Sequence, residues 1–450
     1  MRQNPGMDHA SHTPLASLYP AHLARVMASA DAALAAAGKD HLVLPSGRVR
    51  YAFQDDRPLP FRANPNFLHW LPLTDLPDSW LVHSPGRRPT LVYCQPDDYW
   101  HLPPAPPHGY WPEHFEVVVV RDAAEAARHL PPPARCAIVG DPDWALGEHV
   151  PDNPQALVGR LHWDRACKSE YELEAMRMAN RRAVRGHLAA RQAFHDGRSE
   201  RQIHAAYLEA TGHAEPDLPY GSIVALNAHA AVLHYQHQRH DLPDAHRSFL
   251  LDAGAEVAGY ASDITRTWHD GDATFAALVA AVDAVQRALC ARVRPGVDYR
   301  DLHLEAHRRL AAVLEELGIV RMAADEQVAS GVSAVFFPHG IGHLIGLQVH
   351  DVGGFMAGPG GGRTGPPEGH PFLRLTRPLL PDMVVTIEPG LYFIPMLLER
   401  LRAGPHAGRV DWALVGRLAP YGGVRIEDDV RAAPDGAENL SRDAFAQAVA

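Results

Sequence analysis

Five residues in the second half of this chain constrain its fold more than any other feature. They are Asp252, Asp263, His343, Glu388 and Glu427, each set among apolar residues or glycines. A carboxylate in such surroundings is costly to bury alone. Four carboxylates and one imidazole brought together make a cage for two divalent metals, whose four positive charges the carboxylates balance. Such a pair leaves a shared water able to lose a proton near neutral pH and act as a nucleophile. The fold that satisfies this pattern must bring four separate segments to one point.

The local motifs set expectations for each residue. F-L-L-D-A-G (249–254) and S-D-I-T-R-T-W (262–268) flank a Gly254–Gly259 connection. Strands paired about the middle of that connection set Asp252 opposite Asp263, roughly 5 Å apart on one face. Two like charges there are destabilising unless a cation lies between them. The plainer alternative is a solvated strand face carrying two unrelated acids. His343 closes F-F-P-H-G-I-G-H (336–343), four residues after His339. Gly340 and Gly342 argue against a helical histidine pair and for a tight turn, with one ligand and one acid/base histidine. His350, in Q-V-H-D, is a third candidate in the region. A satisfied structural histidine is the alternative for each. Glu388 lies in V-V-T-I-E-P-G-L-Y-F, where Pro389-Gly390 ends a strand and exposes its side chain at the edge. Arg425 and Glu427, two apart in G-G-V-R-I-E-D-D-V, share a strand face, Asp429 with them. A surface Arg–Glu pair is the plain reading there.

Carboxylates with one nitrogen donor favour hard or borderline ions, Mn²⁺ first, with Co²⁺ or Zn²⁺ possible. No thiolate joins the set, which argues against structural zinc. The four cysteines are scattered without C-x-x-C pairing and read as reduced thiols of a cytoplasmic protein.

The 450 residues exceed one ordinary core, so two domains are expected, 1–167 and 168–450. The composition, 46% hydrophobic and 21% charged, is that of a globular chain, and a formal charge of −11 argues against nucleic acid as a partner. Neither a signal peptide nor a membrane span is expected. The first dozen residues read as unstructured, and Met7 is an alternative start to Met1. The N-terminal part reads as α/β, with a helix over 21–37, strands over 41–45 and 90–94, and a buried strand over 116–120. Thereafter Ser169 caps a helix running to about Phe194, and a second helix covers 200–211. Strands are expected over 248–253, 260–268, 383–393 and 423–430, with helices over 273–293 and 299–317 between them. This partial segregation favours α+β. The Gly/Pro-rich stretch 357–371 reads as a mobile loop near the site.

The order Asp, Asp, His, Glu, Glu, with H-G-I-G-H, T-I-E-P-G and R-I-E-D-D around the last three, resembles the pita-bread metallopeptidases. More narrowly the chain resembles the bacterial Xaa-Pro dipeptidases (prolidases). That likeness includes L-A-S-L-Y (15–19), F-Q-D-D (53–56) followed by P-F-R-A-N-P (60–65), and P-D-D-Y-W-H (96–101). It continues through K-S-E-Y-E-L (168–173), I-V-A-L-N-A-H-A-A-V-L-H-Y (223–235) and G-L-Q-V-H-D-V-G-G-F (346–355). Organophosphorus acid anhydrolases resemble the same group. The resemblance implies a C-terminal catalytic domain with a curved antiparallel sheet, a smaller N-terminal α/β domain and a homodimer. It implies that Asp252 binds one metal, that His343 and Glu388 bind the other, and that Asp263 and Glu427 bridge them. It implies Glu388, His339 and His350 in proton handling. His234, Arg374, Arg377, Arg425, Tyr220 and Tyr299 would meet substrate, with Arg374 preferred over Arg377 for the proline carboxylate. Asp56 matches an acid donated by the N-terminal domain to a partner subunit. The implied activity is hydrolysis of Xaa-Pro dipeptides. An Xaa-Pro aminopeptidase, an organophosphate hydrolase and a non-enzymatic scaffold are the alternatives. The Gly358–Pro367 insert matches the family least.

Overall fold

The computed structural model describes residues 13–449; the expectations for the first dozen residues and for the start site lie outside them. Two compact units are present. One holds the described residues up to Ala175 together with Gly358–Gly362, and the other holds Met176–Ala357 and the described residues from Arg363 onward.

The first unit is built on a five-stranded sheet. Its strands are β1 (His41–Pro45), β2 (Trp80–His83), β3 (Thr90–Cys94), β4 (Glu116–Val120) and β5 (Cys136–Ile138), in the order β4-β3-β2-β1-β5. The helix Thr13–Ala37 begins eight residues earlier than the Ala-rich stretch alone implied and carries Pro20 inside it. One expectation fails here. The strand at 116–120 exists with the expected bounds, but it is not buried. It forms the sheet edge, paired only with β3, and leaves Val119 43% exposed. A run of valines reads the same whether a strand is central or peripheral, because β-branched residues suit both.

The helix Glu170–His195, whose first turns belong to the first unit and the rest to the second, begins at the expected cap. Ser169 N–H donates to Glu172 Oε2 at 2.7 Å, and Glu172 N–H to Ser169 Oγ at 3.3 Å, a reciprocal capping box. The strands that follow are β6 (Ile223–Leu226), β7 (Ser248–Asp252), β8 (Glu256–Val257), β9 (Tyr260–Ala261) and β10 (Thr265–His269). A hairpin β11 (Met356–Gly358) and β12 (Gly361–Arg363), whose residues 358–362 group with the first unit, overlaps the Gly/Pro-rich stretch read as a loop. Then come β13 (Val384–Ile387), β14 (Gly390–Tyr392), β15 (Gly423–Arg425), β16 (Asp428–Ala433) and β17 (Gly436–Asn439). Sheets run β10-β7-β6, β13-β16-β17 and β14-β15, all antiparallel.

Three long strands expected from sequence are each broken in two. The breaks fall at 262–264, 388–389 and 426–427, and so at Asp263, Glu388 and Glu427. The ladder is interrupted where a carboxylate must leave the regular pleat.

The core beneath the site packs two helices, Glu170–His195 and Glu200–Thr211, onto the β6–β7 face. Phe194, Ile203, Tyr207, Val224, Phe249 and Leu251 are buried there, with Phe249 stacked between Phe194 (5.5 Å) and Trp268 (5.3 Å). The helix Ala273–Cys290 is, among the described residues, the one long and apolar enough to cross a membrane. Its buried Gln286 donates to Asp428 and to the Ile387 carbonyl, and Phe275, Leu278, Val282 and Leu289 face inward, which makes it a core helix.

Phe249→Ala should cost about 3–5 kcal/mol, the usual range for deleting a buried ring and leaving a cavity. Val119→Ala on the exposed edge should change stability by no more than about 0.5 kcal/mol. Midpoints of chemical unfolding of the two variants check this; equal losses would contradict the placement of the core.

Candidate metal centre

The hairpin carrying the two aspartates turns at Ala258–Gly259, both with positive φ (54° and 87°), as a two-residue hairpin turn of this kind requires. That turn sits later than the middle of the connection. Asp252 therefore pairs with Thr265, not with Asp263. The expected opposition is wrong by two residues, but the side-chain period is also two, so both aspartates stay on one face. They are diagonal neighbours, and the Asp252 charge is a main cause of the raised Asp263 pKa.

The other donors reach the same face. His343 comes from the loop 337–343, whose backbone folds against β13: His343 N–H donates to Thr386 Oγ1 at 3.1 Å, and Glu388 N–H to the Ile341 carbonyl at 2.9 Å. Gly342 is required there, since a Cβ would sit 2.2 Å from the Thr386 oxygen. The His343 Nδ1 lies 3.0 Å from the Leu344 carbonyl, which can only accept, so Nδ1 carries the hydrogen. This leaves the Nε2 lone pair facing Asp263 Oδ2 at 3.6 Å and Glu388 Oε1 at 3.8 Å. Thr265 and Glu427 form an isolated bridge, and Thr265 Oγ1 donates to Glu427 Oε2 at 2.7 Å. One ligand atom each from Asp263, His343 and Glu427 lies within 4.8 Å of the others.

Arg425 is not in a surface pair with Glu427. It is 4% exposed, and its guanidinium reaches Asp252 Oδ2 (2.7 Å), the Tyr392 hydroxyl (3.0 Å) and Thr265 Oγ1 (3.3 Å). Asp428 points the other way, into Arg266, Arg442, Gln286 and Asn439. Asp429 shares the site's side of the strand but stands behind it, accepting from Asn180 Nδ2 (2.8 Å) and from the Asp263 backbone N–H (3.1 Å).

Among the remaining candidates, Tyr220 donates to Asp263 Oδ1 at 2.5 Å. His339 is held on both sides: Nδ1 against the Gly340 carbonyl (2.8 Å), hence protonated, and Nε2 accepting from the Tyr392 hydroxyl (2.8 Å). His350 packs edge-on against His343 at 4.3 Å and reaches solvent. Arg374 is exposed and close enough for its charge to act on His343, His350 and Glu388. His234 is exposed beside His339 and His350. Arg377 differs from Arg374: it is buried and donates to the Gly353 carbonyl (3.3 Å). Tyr299 is fully buried behind the histidine loop, its hydroxyl committed to the Thr386 carbonyl at 2.6 Å. Asp56 lies exposed in the first unit. Sequence reasoning missed Tyr392, which joins Arg425 to His339. The signal was available, since Glu388, Gly390 and Tyr392 alternate at the strand period through the motif already singled out.

Burial and mutual repulsion dominate the electrostatics. Asp263 and Glu427 are pushed far above the usual carboxylate range, first by burial and then by each other's or Asp252's charge. Glu388 is raised to about 8 by burial, against the pull of Arg425. Burial lowers His343 and His339 to about 3 and so keeps them neutral. Asp252 Oδ1 is buried without a hydrogen-bond partner. Repelling carboxylates, a lone pair aimed among them and an orphaned oxygen fit divalent cations, with oxygen and imidazole donors and no thiolate.

The comparisons with known proteins concern the family and the fold. Residues 17–163 match the family model described as Xaa-Pro dipeptidase, N-terminal domain, and residues 174–433 match metallopeptidase family M24. An Xaa-Pro dipeptidase of Stenotrophomonas maltophilia is 53% identical over 434 residues, covering 96% of this chain and 98% of that one. One from Xanthomonas axonopodis pv. citri is 53% identical over 436 residues, covering 96% and 99%. Among solved structures, Escherichia coli aminopeptidase P with the inhibitor Pro-Leu superposes with a TM-score of 0.72 at 22% identity, covering 94% of this chain and 95% of that one. Pseudomonas aeruginosa aminopeptidase PepP gives 0.70 at 24%, covering 93% and 95%. At those identities the likeness concerns the fold.

The raised carboxyl pKa values predict how metal-free protein responds to pH. Glu388 holds its proton more tightly folded than unfolded, so the stability this contributes is whole below about 4.5 and is lost as pH rises to about 8. The depressed His343 acts oppositely, but only below its unfolded value of 6.5. Metal-free protein should therefore melt at a lower temperature at pH 8 than at pH 6.5, and added Mn²⁺ should remove the difference. Thermal melts with and without metal test this; a flat metal-free profile would mean the carboxylates do not repel as described.

Proposed function

We propose that this chain, which belongs to metallopeptidase family M24, hydrolyses dipeptides that carry proline at the C-terminal position. One observation supports this most directly. An exposed arginine, Arg374, stands at the open side of a buried carboxylate cluster, beside His350 and Glu388. A cation there captures the free carboxylate of a dipeptide and ends the pocket one residue beyond the scissile bond. The whole-length likeness to Xaa-Pro dipeptidases supports the same substrate class.

In this reading Asp252, Asp263, His343, Glu388 and Glu427 would hold two divalent ions, Mn²⁺ in preference to Co²⁺ or Zn²⁺, with Asp263 and Glu427 shared by both. Bound ions supply Lewis acidity and lower the pKa of water. The protein's own groups do the rest. Glu388, 18% exposed on its side chain and so reachable by water, takes the proton of the attacking water and passes it to the departing proline nitrogen. His350 and His234 line the open side, where an imidazole N–H stabilises developing negative charge on the carbonyl oxygen. His339 acts through its bond to Tyr392, which orients Arg425 and so Asp252. Tyr220 fixes the rotamer of Asp263. The proline nitrogen carries no hydrogen, so ring shape and carboxylate capture carry specificity. The chain works in the cytoplasm as a homodimer, with the first domain supplying dimer contacts and Asp56 to the partner's pocket.

Arg374→Ala should lower kcat/KM for Ala-Pro about tenfold to a hundredfold, the equivalent of losing a charge-assisted hydrogen bond worth ~1.5–3 kcal/mol. The amide of the same dipeptide should lose far less, having no carboxylate to capture. Equal losses would assign Arg374 a structural role.

Dialysis against a chelator should abolish turnover and Mn²⁺ should restore it. Asp263→Asn should reduce occupancy of both ions, whereas Asp252→Asn should weaken chiefly one. Elemental analysis decides, and loss of a single ion in both variants would refute the bridging assignment.

A further inference from the structure

A second group of metal-binding side chains lies outside the carboxylate cluster. His303 and His307 are one turn apart on the helix Tyr299–Glu316, and His370 comes from the segment that leads to Arg374. One nitrogen from each of the three lies within 4.8 Å of the other two. The rings stand edge to face: His303 to His307 at 4.7 Å and 88°, His303 to His370 at 4.7 Å and 88°, His307 to His370 at 4.5 Å and 64°.

The plain explanation is an aromatic core, since His307 and Phe337 also pack at 4.8 Å. Hydrogen bonding does not complete that picture. His307 Nδ1 meets Ser333 Oγ at 3.0 Å, and His303 Nε2 shares one contact with His370 Nδ1 at 3.0 Å. His303 Nδ1 is then left buried without a partner, on a residue 1% exposed. His303 and His307 are buried and His370 is half-buried, so the nitrogens that face one another here lose most of their water. Burial holds all three below the ordinary histidine pKa, so their lone pairs are available. Tetrahedral zinc with nitrogen ligands at ~2.05 Å places those nitrogens about 3.3 Å apart. The 3.0 Å contact between His303 Nε2 and His370 Nδ1 is already near that spacing, so Nε2 is the donor His303 offers and its Nδ1 keeps the hydrogen.

We propose that His303, His307 and His370 form a third, mononuclear metal site, for zinc, that fastens the segment 366–373 to the helix below. Imidazole donors without carboxylates select a borderline ion such as Zn²⁺ over Mn²⁺, so the site differs in chemistry from the dinuclear one. Its place in the fold gives it a consequence. Phe372 and Leu373, two and three residues after His370, pack on Gly340, where a Cβ would meet the Phe372 carbonyl at 2.9 Å. The fastened segment therefore lies against the histidine loop of the first site.

The test strips the full chain of metal, refills it with excess Zn²⁺, desalts it and counts ions. The unsubstituted chain should hold one more zinc than His370→Ala. That difference does not depend on how many ions the carboxylate cluster holds, so failure of the dinuclear assignment leaves it readable. Equal counts overturn the proposal. If His370→Ala does not fold, His370→Cys loaded with Co²⁺ replaces it. A thiolate-to-cobalt charge-transfer band absent from the unsubstituted chain supports the site, and its absence overturns it. Zinc should also slow hydrogen exchange over 366–373 in the unsubstituted chain; unchanged exchange there would remove the fastening role.

Discussion

The repulsion among buried carboxylates is the interaction on which the rest of this structure depends. Asp252, Asp263, Glu388 and Glu427 gather where three small sheets meet, and one arginine among them is insufficient to neutralise all four. Arg425 relieves Asp252 directly, at 2.7 Å. The other three keep raised pKa values, and so a standing affinity for either protons or cations. A cluster of this kind survives in a folded protein only if its surroundings hold it together more strongly than it pushes itself apart.

The surroundings do so through the opposite faces of the same strands. Beside Glu427, Asp428 turns outward into Arg266 and Arg442, whose charges, after burial is overcome, hold its carboxyl below the usual range. Asp429, on the site's side but behind it, accepts from Asn180 and the Asp263 amide, while its own N–H donates to Ser441. Three consecutive acids thus have three unrelated tasks, the alternation of the pleat turning Asp428 away from the other two. Tyr392 and Thr265 complete the frame: both accept from Arg425, and Thr265 in turn donates to Glu427.

The broken strands give the same account from the backbone. A regular ladder directs side chains only up or down. Releasing the pleat at Asp263, Glu388 and Glu427 lets those carboxylates lean toward a common point, while the flanking pairs keep register. The paired stretches are short, and the helices packed behind them, with Phe249 between Phe194 and Trp268, supply the rigidity.

Much of this was legible in the sequence. The helix starts after Ser169 and at Tyr299, the strands with apolar alternation and the five candidate donors all declare themselves locally, because caps, periodicity and glycine-bounded motifs are short-range chemistry. The common face of Asp252 and Asp263 was legible for the same reason, since face depends only on parity. Register was not: a turn at Ala258–Gly259 and one two positions earlier preserve the same pattern. Nor was the choice of partner for Arg425, which passes over Glu427 on its own strand for Asp252, far away in the chain. Edge or centre for the valines of β4, the separate fates of Arg374 and Arg377, and the gathering of His370 with His303 and His307 were likewise decided only by tertiary structure. Long-range packing determines which polar groups lose water together, and a group's charge, partner and availability follow from that loss rather than from its neighbours in sequence.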